Sequence, residues 1–463
     1  VLIGLYSSDM RAKLFTPHWL PVWFFAGGIL VGALALFLDV SHPGGELTFV
    51  DAVFTATSAM CVTGLIVVDT GTYFSLFGQN VILLLIQLGG LGIMTFTTLF
   101  IYLLGQRVSL NDRTAVSQTL LKDPAFSLGK FLLRVFAMTF TLELAGALFL
   151  WLMDPVGFAP YSAIFHSISA FCNAGFSLYP DSLTQWSGHT GINLVFFVLI
   201  ITGGLGFYVL HECGQLAKRA VNDRRSLRTG APLLSWHSSI VLKTSALLTI
   251  GGAVIIFCAE SVSPLASGSV YERVLTSLFQ SITCRTAGFN TVDIGTMTNV
   301  SLAFMMVLMF IGGSPGSCAG GIKTTTFRAL CSFVAAQFKG LEQVRIGRLA
   351  LHPTSVNRTI TLFTVSILLV AVGTMVLTTL ESHSASYLMG RDKFMVNMFE
   401  VISAFGTVGL STGLTAQLNG AEKGMVIILM FVGRLGPMWL LSALQSWQTE
   451  QRFRLPYENL PLG

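Results

Sequence analysis

Residues 54–65 read FTATSAMCVTGL, and the pattern returns three times: FHSISAFCNAGF at 165–176, FQSITCRTAGF at 279–289 and FEVISAFGTVGL at 399–410. Each copy closes on a glycine followed by a large apolar residue. These glycines are Gly64, Gly175, Gly288 and Gly409, separated by 111, 113 and 121 residues. The third copy is one residue shorter between Phe279 and Gly288, so its register is the loosest of the four. A second landmark follows each copy: Gly89-Gly90-Leu91-Gly92, Gly203-Gly204-Leu205-Gly206, Gly312-Gly313-Ser314-Pro315-Gly316 and Gly433-Arg434-Leu435-Gly436. They lie 25, 28, 24 and 24 residues beyond the four glycines. Close helix packing explains glycines in the second landmark taken alone. It does not explain two landmarks at matched spacing four times over, which mark an internal repeat.

The rest of the chain gives the repeat its setting. Of 463 residues, 53% are hydrophobic and only 11% charged, against about a quarter charged in soluble domains. A spanning helix needs about 20 mostly apolar residues. Stretches 19–38, 77–105, 131–153, 190–210, 244–259, 299–311, 359–380 and 424–445 are the predicted spans, with Arg134 and Glu143 the charges in the third. Segments 1–18, 106–134, 211–243, 339–358 and 446–463 carry 19 Lys/Arg and 8 Asp/Glu. The intervening segments 39–76, 154–189, 260–298 without Arg285, and 381–423 without Glu400 carry 4 and 12. Lys and Arg resist translocation, so the first set is expected in the cytoplasm, with both termini, in a multi-pass cell-membrane protein. The net charge of +5 therefore belongs to membrane topology and not to nucleic-acid binding. Arg11 and Lys13 precede an apolar stretch that reads as a retained anchor and not a cleaved signal. The seven cysteines (Cys61, Cys172, Cys213, Cys258, Cys284, Cys318 and Cys331) form no C-x-x-C pair and read as small hydrophobes.

Each motif copy is too short and too polar to span. Irregular backbone at membrane depth survives only where protein or a water-filled cavity surrounds it. The predicted fold is an all-α membrane protein, a single domain over 1–463. It has four parallel helix–pore loop–helix repeats at about 19–130, 131–235, 236–350 and 351–463. Eight transmembrane helices and four pore half-helices would surround one central pore. A cation leaving water must replace its hydration oxygens, and backbone carbonyls in a glycine-containing loop do this. The candidate filter is Val62, Thr63 and Gly64; Asn173, Ala174 and Gly175; Thr286, Ala287 and Gly288; Thr407, Val408 and Gly409. With four glycines, no serine among them and no acidic ring, the filter is expected to coordinate potassium through carbonyls. Half-helix C-terminal dipoles would aim their partial negative charge at the ion.

These residues resemble those of the KtrB/TrkH/HKT superfamily of potassium transporters, and most those of its KtrB branch. The resemblance runs from about Asp51 to Pro461. It rests on the four motif copies, on GGIK at 320–323 and on GRLGP at 433–437. It implies potassium uptake by a homodimer in which each protomer holds its own pore. It also implies control by a KtrA-like cytosolic ring of nucleotide-binding subunits, and sodium activation in the KtrB branch. The chain has no G-x-G-x-x-G after a predicted strand, so ATP or ADP is expected on the partner, with no cofactor in this chain. Gly312, Gly313, Ser314, Pro315, Gly316, Ser317, Cys318, Ala319, Gly320 and Gly321 cannot make a stable helix. They read as a kink or, as in the family, as a gating loop under the filter, with Lys323 as its anchor. In this reading only one helix is strongly broken. Arg434 replaces a landmark glycine and is expected at the depth of that loop, bonded to its carbonyls or tied to Glu143. Arg285 is expected to brace the third filter segment through Glu400, and Asn173 to brace the second. His166 and His211 read as satisfied interior groups.

A membrane-embedded enzyme and a coupled symporter of another solute are the competing readings. The first would need a nucleophile and base or a metal site, and no H-E-x-x-H, no G-x-S-x-G and no intramembrane acid pair is present. The second favours inverted repeats, whereas these are parallel.

Overall fold

The computed structural model describes residues 19–43, 45–92, 128–222, 234–262, 269–382 and 393–436. The charge-rich stretches 1–18, 106–127 and 446–463, the ends of the predicted spans 77–105 and 424–445, and Pro437 of GRLGP lie outside the described residues. The chain is helical. Among the described residues its strands are β1 (Arg345–Ile346) and β2 (Leu349–Ala350), an antiparallel hairpin.

Around each motif copy the same elements follow one another. The first copy has α1 (Leu20–Leu36), α2 (Phe49–Met60) and α3 (Leu76–Gly90). The second has α4 (Leu128–Met153), α5 (Pro160–Phe171) and α6 (Thr190–Leu205), continued by α7 (Phe207–Asn222). The third has α8 (Trp236–Ser261), α9 (Val270–Thr283), α10 (Asn299–Phe310) and α11 (Thr324–Phe338). The fourth has α12 (Pro353–Ser382), α13 (Lys393–Gly406) and α14 (Gly420–Leu435). The motif helices α2, α5, α9 and α13 are only 12 to 14 residues long. At 1.5 Å per residue they reach about 20 Å, well short of the hydrocarbon core. Their starts are written locally. Thr48 caps α2 by accepting from the Asp51 N–H, Pro160 opens α5, and Ser269 with Glu272 forms a reciprocal capping box on α9.

Three helices are long and apolar enough to cross a membrane unbroken, over Leu133–Met153, Trp236–Ser261 and Pro353–Glu381. A fourth candidate is α6 with α7, bent by 113° at Gly206. The other apolar helices, including Pro21–Leu36, Leu76–Gly90 and Asn299–Phe310, are shorter. The expectation of a single strongly broken helix is thus corrected: besides the glycine run after α10, α6–α7 is sharply bent. Gly206 takes φ 92° there, a conformation only glycine adopts without strain.

The packing closes on itself. α1, α2 and α3 pack together, as do α4, α5 and α6, and α12, α13 and α14, while α8 packs on α9 and α10. Between copies, α3 packs on α5, α6 on α9, α10 on α13, and α14 back on α2. A 2.6 Å ion pair from Lys423 of α14 to Asp51 of α2 fastens the last contact. Apolar side chains stand exposed on the outer faces of α1 (Leu30, Val31, Leu34), α4 (Phe140, Leu144, Leu148), α8 (Leu247, Ile250, Val254) and α12 (Leu368, Val372, Met375). Polar ones such as Thr57, Ser58, Ser169, Gln280 and Ser403 are buried on the motif helices. Apolar outside and polar inside is the arrangement of a protein in lipid, where the solvent is as apolar as leucine.

Candidate functional site

Each motif helix ends three to five residues before its glycine, and the backbone then leaves the helix in the same way four times. Val62, Asn173, Thr286 and Thr407 adopt φ of 55°, 59°, 74° and 50°, and the glycines two residues on adopt 94°, 71°, 78° and 91°. Positive φ is uncommon for non-glycine residues and unusual for β-branched ones, so four equivalent cases are a built feature. The N–H between the two left-handed residues bonds back into the helix: Thr63 to Ser58 O (2.7 Å), Ala174 to Ser169 O (2.7 Å), Ala287 to Thr283 O (2.9 Å) and Val408 to Ser403 O (2.8 Å). The missing residue of the third copy falls between Thr283 and Ala287, and the register is otherwise kept.

Those same four helix residues use their hydroxyls on the turn. Ser58 Oγ accepts from the Gly64 N–H and Ser403 Oγ from the Gly409 N–H, both at 3.1 Å. Ser169 Oγ donates to Phe176 O at 2.8 Å, and Thr283 Oγ1 to Phe289 O at 2.6 Å. These hydroxyls were not among the residues expected in the site, although the aligned Ser/Thr in SAM, SAF, TCR and SAF carries their signal.

The four turns meet. A Cβ placed on Gly64 would stand 2.5 Å from Ala174 O, one on Gly175 2.9 Å from Ala287 O, and one on Gly288 2.5 Å from Val408 O. One on Gly409 would collide with Thr63 O. The carbonyl before each glycine therefore faces the glycine of the preceding copy around a closed circuit, and no side chain larger than hydrogen fits between them. Val62, Thr63, Asn173, Ala174, Thr286, Ala287, Thr407 and Val408 are all buried. With its amide turned so that the nitrogen faces acceptors, Asn173 donates to Ala170 O (3.1 Å) and Ile200 O (3.2 Å).

Behind the turns, the second position of each motif is polar and buried: Thr55, His166, Gln280 and Glu400. His166 Nδ1 bonds Ser162 O (2.7 Å), and its Nε2 accepts from the Leu178 N–H (3.3 Å), tying α5 to the chain beyond its glycine. Glu400 does the same for α13, accepting from Ser411 Oγ, the Thr412 N–H and Thr415 Oγ1. This corrects the expected Arg285–Glu400 brace. Arg285 instead donates from Nη1 to Ser245 O (3.2 Å) and from Nη2 to Gly312 O (3.3 Å).

The glycine run leaves α10 at Phe310 and re-enters a helix at Thr324. It is held by the broken α6–α7 pair: the Ser314 N–H bonds Gly204 O, the Cys318 N–H bonds Gly203 O, and Gly316 O accepts from the Phe207 N–H. A Cβ on Gly206 would stand 2.7 Å from Pro315 O, and one on Gly320 would strike the Thr407 side chain. The loop thus lies directly against the fourth turn. Lys323 Nζ donates to Ala319 O at 2.6 Å. Arg434, 6% exposed, reaches the loop from α14, donating from Nη1 to Cys318 O and from Nη2 to Gly89 O. The Arg434–Glu143 tie is not made: Glu143 accepts from Gln87 Nε2 at 3.2 and 3.3 Å. Gly89 O and the Gly206 break were the parts of the loop's seat that sequence reasoning missed.

Comparison with known proteins gives the family. The TrkH family model, described as cation transport protein, matches residues 31–446. The chain is 37% identical over 444 residues to the Ktr system potassium uptake protein B of Bacillus subtilis, covering 94% of this chain and 95% of that protein. It is 35% identical over 455 residues to the potassium/sodium uptake protein NtpJ of Enterococcus hirae, covering 96% and 97%. Its fold is similar to the crystal structure of the potassium transporter TrkH from Vibrio parahaemolyticus. The TM-score is 0.71 at 20% identity, over 93% of this chain and 85% of that one. These relatives are cation transporters and not enzymes, and the chain belongs to the TrkH family of cation transport proteins.

Proposed function

We propose that this protein carries potassium ions into the cell through one pore on the axis of its four motif copies, with eight membrane spans and four pore half-helices around it. The observation that carries the reading is the closed circuit of Gly64, Gly175, Gly288 and Gly409, each faced by the carbonyl that precedes the next glycine. A dehydrated cation needs a cage of oxygens, and main-chain carbonyls at Thr63, Ala174, Ala287 and Val408 supply it without a fixed negative charge. Potassium is the expected substrate because the names of the Ktr, NtpJ and TrkH relatives all include it. The NtpJ name adds sodium, in keeping with a sodium-activated branch.

The loop 312–321, with Lys323 and Arg434, is the gate of this proposal. The loop lies against the fourth turn at Gly320, and a buried guanidinium holds it at Cys318 O, on the path proposed for an ion leaving the filter. The Ktr system name of the relatives supports partner subunits. The working assembly is a homodimer with both termini in the cytoplasm, on a KtrA-like cytosolic ring that binds ATP or ADP. The test is potassium-against-sodium flux into liposomes holding the purified chain. Potassium-selective uptake is the expected result. Equal permeability, or turnover of a larger solute, would overturn the proposal.

A further inference from the structure

Arg285 lies outside the filter circuit and touches the proposed gate only through its bond to Gly312 O. It lies in the apolar interior, yet no carboxylate stands within ion-pair distance of it among the described residues. The ion pairs described there are Lys393–Glu381 and Lys423–Asp51. Of its five N–H groups, one on Nη1 goes to Ser245 O and one on Nη2 to Gly312 O. Its Nε and the neighbouring Ser245 Oγ are buried without a hydrogen-bond partner. A cation at membrane depth lacking a counter-charge is costly and marks function by default.

Arg285 also ends a crevice. Between α6 and α8 lies a space of about 290 Å3, lined by apolar side chains including Ile201, Leu205, Leu242, Ala246 and Ile250, that reaches Arg285 and Gly313. Its rim is open: Ile250 is 63% and Ile201 38% exposed, on faces that meet lipid. An apolar wall ending in an unneutralised guanidinium fits an amphiphile with an anionic head. A volume near the lower end of small-molecule pockets, about 300–1,000 Å3, admits the head and first part of a chain and leaves the rest among lipid tails.

We propose that this crevice binds a long-chain fatty acid, its carboxylate on Arg285 and Ser245 Oγ and its chain along Ala246 and Ile250 into the bilayer. Carboxylates and phosphates both accept two guanidinium N–H bonds side by side; the carboxylate is the smaller head and suits a space of only about 290 Å3 that ends at Arg285, and it also supplies the missing charge. Because Nη2 holds Gly312 O at the start of the glycine run, an occupant drawing the guanidinium toward itself loosens the loop. That coupling rests on the gate reading; the binding site does not.

The test uses the purified full-length protein in liposomes with a diazirine-bearing stearic acid, cross-linked peptides being identified by mass spectrometry. Label is expected on α6 and α8 around residues 200–205 and 242–250. Oleate should displace it at least about tenfold better than oleyl alcohol, the value of a charge-assisted contact. Arg285→Gln should remove that preference, and Ala246→Phe, which fills the crevice without touching Arg285, should abolish the label while flux persists. Label elsewhere, or equal competition by acid and alcohol in the wild type, would overturn the site. Flux is read in the same liposomes. Selective labelling with flux insensitive to oleate would keep the site and overturn the coupling, whereas loss of potassium selectivity would concern the transport proposal alone.

Discussion

Arg434 of α14 donates one guanidinium nitrogen to Cys318 O in the glycine loop and the other to Gly89 O at the end of α3. One side chain of the fourth copy thereby joins the first copy to the third. Carbonyls freed from helical bonding need donors, and a guanidinium offers five in a fixed fork. On the proposed ion path the same group sets a positive charge where a cation must pass. Replacing Arg434 with Ala, or deleting residues 314–318, should each raise potassium flux without the partner. Combined, they should give less than the sum of their effects, because one barrier is removed twice. Liposome flux measures all three; wild-type flux in both single variants at normal expression would sink the gate.

Gly288→Ser should lower potassium-over-sodium selectivity more than protein yield. The Cβ would stand 2.5 Å from Val408 O, at a φ of 78° that serine adopts only under strain. The hydroxyl would also offer the ion a second kind of ligand. Permeability ratios from bi-ionic flux decide it, and an unchanged ratio counts against the carbonyl circuit.

Thr283 tests the hydroxyl braces. Thr283→Val removes the 2.6 Å bond to Phe289 O while keeping shape. Its net cost is about 0.5–1.5 kcal/mol, more if the carbonyl stays unpaired. A several-fold fall in selectivity is expected, and Thr283→Ser should restore it. If valine and serine behave alike, the hydroxyl does not position the turn.

The Lys423–Asp51 pair closes the circuit of copies and is largely shielded, with 15% and 14% of each side chain exposed. Lys423→Met and Asp51→Asn should each lower the melting temperature in detergent. A double-mutant cycle should return a coupling on the order of 1 kcal/mol. Additive effects would mean that the pair does not hold α14 to α2.

The purified chain free of partner should show the same flux with and without ATP or ADP, since the proposed nucleotide site lies on another subunit. Nucleotide-dependent flux from this chain alone would contradict that division of labour.

The membrane setting, the four copies and the candidate filter residues were legible in the sequence because each rests on local chemistry. Apolar runs of spanning length, a glycine where the backbone must turn left-handed, and Ser or Thr near helix ends are written residue by residue. Even the shortened third copy could be aligned on its glycine, and the backbone keeps that register at Thr286 and Gly288. Arg434 and the glycine run could be expected at one depth from matched spacing alone.

Which group meets which was beyond the sequence. The partly buried Arg285 had Glu400 as its obvious opposite charge, yet packing turned it to Ser245 O and Gly312 O and left Glu400 to the chain after its own glycine. Gly206 looked like one landmark glycine among several, and only the loop seated on it required its 113° break. The second acceptor of Arg434, Gly89 O, lies 345 residues away in the chain. Helix caps and turns are decided within a few residues of their cause, whereas the partners of a buried charge are fixed by which carbonyls the closed packing leaves unpaired. That depends on every helix at once.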